Sequence, residues 1–137
     1  MRWSRITLEP SEGVYSDAKF AWCRYQINLP LVSDGRIAYH ELRAHPDLSV
    51  VERFQPDHGH SRGNFALVEN RHTIVWTQGS APPPPRTRLS FTKIRRGASV
   101  VLRPGYGPAQ LFDVQAVELV PPASRPIILQ QAVGEII

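Results

Sequence analysis

The chain of 137 residues is 42% hydrophobic and 20% charged, with 13 Pro, 9 Gly and a single Cys. That length accommodates one domain, and the ordinary hydrophobic content argues against disorder of the chain as a whole. Cys23 alone excludes an internal disulfide framework and a Cys-based zinc site, and no apolar run approaches the ~20 residues that span a bilayer. Met1-Arg2-Trp3-Ser4 does not open like a signal peptide, so a cytoplasmic protein without a membrane partner is expected.

Proline punctuates the chain at short intervals, which argues against long helices and for short strands. Residues 3–8 (WSRITL) predict a first strand, and residues 20–29 (FAWCRYQINL) predict a second. In the latter Ala21, Cys23, Tyr25, Ile27 and Leu29 recur at period two, and Cys23 reads as a small buried hydrophobe. Ser33-Asp34-Gly35-Arg36 signals a tight turn, with a return strand expected over residues 36–42 (RIAYHEL). Residues 48–54 read as a strand or one helical turn, and residues 55–63 (QPDHGHSRG) as a loop. A second hairpin is expected from residues 64–68 and 72–77 about Glu69-Asn70-Arg71.

The tetraproline 82–85 predicts a polyproline II linker, within a Pro-rich loop over 81–86. Strands over 88–94, 99–103 and 110–120 follow, with a turn at Arg96-Gly97 and a Pro/Gly-rich connection over 104–108. In the last strand the apolar phase moves from Val114 and Ala116 to Val117 and Leu119, as a β-bulge produces. The fold class expected is mainly β: a single antiparallel β-barrel or β-sandwich of about eight short strands over residues 1–122. Residues 123–137 form an apolar C-terminal segment in which Ser124 is placed to cap a short helix. Its Ile127, Ile128, Leu129, Val133, Ile136 and Ile137 are expected to pack on the β domain or to join subunits in a homo-oligomer.

Charge is segregated along the chain. Residues 1–60 carry a net −1 and residues 61–120 a net +5, and no acid occurs between Glu69 and Asp113. Arg71, Arg86, Arg88, Lys93, Arg95, Arg96 and Arg103 fall in that window. A run of one sign attracts an acidic protein or nucleic acid, and Arg in particular grips phosphate and carboxylate through its rigid fork. A solvated face balanced by acids elsewhere in the fold accounts for the same letters, and a 14-to-2 ratio of Arg to Lys also follows from GC-rich codon usage.

Three constellations carry chemistry. Asp57-His58-Gly59-His60 holds an HxH pair whose side chains point the same way from an extended segment. Such a pair can grip a divalent transition metal, with His72 or His40 completing a three-His site. The pair is similar to the HxH of cupins, although Gly63-Asn64-Phe65 stand where that pattern has a Glu, and no His follows His72. Second, Tyr39, His40, Glu41, Glu69 and His72, with Arg71 or Arg95, make a general acid–base set of ribonuclease-like character. Third, Lys93, Arg95 and Arg96 near Trp76, Phe91 and Tyr106 resemble the mixture that holds single-stranded nucleic acid. The leading expectation is a non-enzymatic binding or assembly module using the basic segment 71–103. A small His-based enzyme and a single-strand-binding barrel are the alternatives.

Overall fold

In a computed structural model, which describes residues 1–11, 22–56, 59–79, 86–105 and 108–120, the chain is mainly β. The strands are β1 (Arg2–Pro10), β2 (Arg24–Leu31), β3 (Val50–Gln55), β4 (Gly59–Val68), β5 (Arg71–Gly79), β6 (Arg86–Ser90), β7 (Ser99–Pro104) and β8 (Gln110–Leu119). Each pairs antiparallel with its sequence neighbour, and β8 returns to β1, so the sheet closes into a barrel without an edge.

The interior follows from alternation along each strand. Ile6 and Leu8, Ile27 and Leu29, Phe65, Ile74, Val100, Leu102, Phe112 and Val114 face one another and are almost wholly excluded from water. Burial of each such side chain stabilises the fold by roughly 1.5–3 kcal/mol. In an eight-stranded barrel side chains of this size fill the lumen. At Gly63 an added Cβ would collide with the backbone of Val75 and Trp76, so β4 and β5 approach more closely there than any other residue would allow.

The Asp34-Gly35 turn forms as expected, but the return strand does not. Ile37 makes a single bridge to Leu31, and the chain then turns into the short helix α1 (Tyr39–Ala44). Ala38 accepts from the N–H of Leu42, a four-residue spacing that residues 36–42 serve better than period two. Leu42 is buried beneath α1, and Trp3, on the outer face of β1, donates from Nε1 to Glu41 Oε2 at 3.1 Å. With that segment helical, β2 pairs with β3 instead.

Two further expectations are corrected. Residues 59–63, expected as loop, belong to β4, where His60 stands opposite Phe54 and Arg62 opposite Glu52. Their polar side chains suggested a loop because they occupy the outer face, while Gly59, Ser61 and Gly63 occupy the inner one. The strand expected over 88–94 runs instead from Arg86 to Ser90, and residues 91–98 cross the barrel end. The second hairpin, the Arg96-Gly97 turn and the bulge are as expected. Thr7 pairs with Ala116 and Leu8 with Val114, leaving Gln115 as the extra residue. The tetraproline and residues 121–137 lie outside the described residues.

Candidate functional site

The seven cations of the acid-free window divide between two places. Arg71, Arg86, Arg88 and Arg103 belong to β5, β6 and β7, with Arg88 directly opposite Arg103. Like charges so placed repel, and Arg88 is relieved by Glu69, with Nη2 and Oε1 3.4 Å apart on the exposed surface. Lys93, Arg95 and Arg96 lie in the crossing that follows β6, at the same barrel end as α1.

There they border an open groove of about 660 Å³ together with Arg2, which sequence proximity could not associate with them. Among the described residues its apolar surface comes from Met1, Leu31, Val32, Ile94 and Val117, and its one acid is Asp34. That carboxylate is engaged by Arg36, whose Nε lies 3.2 Å from Oδ2 and whose backbone N–H donates to Oδ1 at 3.1 Å. Among the described residues, Arg2, Lys93, Arg95 and Arg96 have no acidic partner. Four cations around one already paired acid give the groove a positive potential.

Gly35 joins the two walls. Its carbonyl accepts the Ile94 N–H at 2.8 Å, its φ is +91°, and a Cβ there would lie 2.6 Å from the Ile94 carbonyl oxygen. Only glycine meets both demands. The turn signalled by Asp34-Gly35 is therefore also the element that fixes the 93–96 segment.

The histidines are separated. His60 points outward from β4, with Nε2 2.9 Å from Glu52 Oε2 and its ring stacked on Phe54 at 4.9 Å. His72 points inward from β5 at the opposite end of the barrel, so it does not join His60 around one ion. Asp57 and His58 lie outside the described residues. No group of three or more His, Cys, Asp or Glu that could hold a metal occurs among the described residues.

Of the acid–base set, Tyr39 and His72 meet, with Tyr39 Oη 2.7 Å from His72 Nε2. Glu41 turns to Trp3 and His45, Glu69 to Arg88, and His40 is exposed on α1. The His72 ring lies between Phe91 at 4.4 Å and Tyr39 at 6.0 Å, and its burial lowers its pKa. Trp76 is inside the barrel, donating from Nε1 to Thr87 Oγ1 at 3.0 Å. Neither it nor Phe91 borders the cationic groove, and Tyr106 lies outside the described residues. Cys23 is buried, which pushes its thiol pKa up and makes it a poor nucleophile.

Among the described residues no helix is long and apolar enough to cross a membrane. No family model, curated protein or solved structure matches the chain.

Proposed function

We propose that the protein is a non-enzymatic binding and assembly module whose cationic groove at the α1 end receives an acidic macromolecular partner. The observation that carries this reading is the convergence of Lys93, Arg95 and Arg96 with Arg2 about one groove whose only acid among the described residues is already paired. Arginine forks present several N–H donors to carboxylates or phosphates, and exposed cations steer a charged partner over a Debye length. An acidic protein segment suits the groove better than a single nucleic-acid strand. Base stacking calls for aromatic faces, and the surface beneath the cations is aliphatic. The apolar segment 123–137 supplies the assembly half of the reading, as a contact between copies of the chain.

Fluorescence anisotropy with a labelled polyglutamate peptide and a labelled single-stranded oligonucleotide, each across a salt series, tests the proposal. The peptide is expected to bind with affinity that falls as salt rises, and Lys93→Glu/Arg95→Glu/Arg96→Glu is expected to abolish binding. Four phosphate contacts on a single strand would give a log–log salt slope near about −3. Tighter binding of the oligonucleotide with that slope would favour the nucleic-acid reading. Salt-independent binding, or a triple variant that binds like the wild type, would remove the groove from consideration.

A further inference from the structure

Two kinds of surface meet in the cationic groove, and carboxylates satisfy only one of them. Of the five large hydrophobic side chains exposed among the described residues, four gather here. Met1, Val32 and Val117 border the groove, and Leu119 stands opposite Ser4, which borders it too. Directly paired residues share one face of a sheet. Val117 pairs with Ile6 and Leu119 with Ser4, so both continue the inward alternation of β8 beyond its bulge. Ile6 is 1% exposed, whereas Val117 and Leu119 are 37% and 57% exposed. The strands therefore carry core-type side chains out to a barrel mouth that the 91–98 crossing leaves open on this side. Lys93, Arg95 and Arg96 stand on that crossing, and Leu31 and Ile94, both buried, make the floor.

We propose that the groove takes an acidic segment of a partner protein in which an aliphatic side chain sits between carboxylates. The proposal rests on the reading of the groove as a site for an acidic partner, and it specifies what that partner must carry. The carboxylates meet Lys93, Arg95 and Arg96 on one wall, and the aliphatic side chain is received by Val32 and Val117 on the other. Exposed apolar side chains bordered by charge have the composition of a docking surface, an apolar centre within a polar rim. A purely acidic chain leaves that centre wet, and an uncharged apolar chain leaves the cations facing only water. The chain's own residues 121–137 hold one base, Arg125, and one acid, Glu135, so they do not supply the complementary charge.

Fluorescence anisotropy of the full chain with three labelled peptides of equal length tests the assignment. The first has glutamates around a central leucine, the second has serine in place of the leucine, and the third keeps the leucine but has glutamine for every glutamate. The first is expected to bind at least roughly fivefold more tightly than the second, and the third not measurably. Val32→Thr/Val117→Thr keeps β-branching and every charge, and is expected to remove the leucine preference while leaving the serine peptide's affinity unchanged. Both positions are exposed, and cooperative thermal unfolding reports that the variant folds. Equal binding of the leucine and serine peptides would overturn this proposal and leave the acidic-partner reading standing. A leucine preference that survives in the folded double variant would overturn it as well, since the side chain would then seat elsewhere. Glutamine-peptide binding as tight as that of the first peptide, or no binding of either glutamate peptide, would overturn both.

Discussion

His72 is the residue at which burial, stacking and titration meet. Tyr39 from α1, Phe65 from β4 and Phe91 from the 91–98 crossing face its ring, and Arg43 lies 6.0 Å over Tyr39. None of these supplies a negative charge, so desolvation dominates and holds its pKa below the ordinary 6.5. The neutral ring can accept the Tyr39 hydroxyl proton at Nε2, whereas the doubly protonated ring cannot. Because the folded pKa lies below the unfolded one, the unfolded chain binds the proton first as pH falls. The stabilisation is therefore complete above about pH 6.5 and is lost as pH falls through the folded value. Urea denaturation of the wild type and His72→Phe from pH 7.5 to 5 is expected to show the wild type losing more stability. The pairs His60–Glu52 and His45–Glu41 are common to both proteins and cancel in the comparison. Parallel pH profiles would show that His72 contributes nothing to acid sensitivity.

At the scale of elements, Gly35 ties the turn after β2 to the segment that bears three of the groove cations. Alanine there would take a φ of +91° and press its Cβ on the Ile94 carbonyl. Gly35→Ala is expected to lower unfolding free energy by roughly 1–3 kcal/mol and to weaken polyglutamate binding as the 93–96 segment shifts. Chemical denaturation checks the first effect and anisotropy the second. A loss within about 0.5 kcal/mol, the range of an ordinary surface change, would deny Gly35 that role. This turn also illustrates what local sequence can express. Asp34-Gly35 and Glu69-Asn70, the latter with φ of +54° and +61°, announce themselves by residue type. The bulge at Gln115 is visible as a phase slip, because alternation has a period of two and a single extra residue must show. The fate of residues 36–42 depends on a partner 38 residues away, since Glu41 meets Trp3. No local pattern carries that information. Arg2 joins Lys93 only through barrel closure. Charge segregation located part of the groove, but not which cations would share it.

For the whole molecule, the closure of β8 on β1 decides what the C-terminal segment can be needed for. All eight strands are paired by Leu119, and the Val120 N–H donates to the Trp3 carbonyl at 3.1 Å. The eight strands leave no open sheet edge, so a chain ending at Pro122 retains every strand pairing of the described residues. The proposed assembly role assigns the apolar segment 123–137 to a contact between copies of the chain. Light scattering over a concentration series is expected to give a multimer for the full chain and a monomer for the chain ended at Pro122. Thermal unfolding of the shortened chain should remain cooperative and become independent of concentration, since association stabilises by mass action. Equal masses for the two proteins would reject self-association through this segment. Loss of cooperative unfolding on truncation would instead place the segment in the core of each barrel, as part of the fold rather than of an assembly.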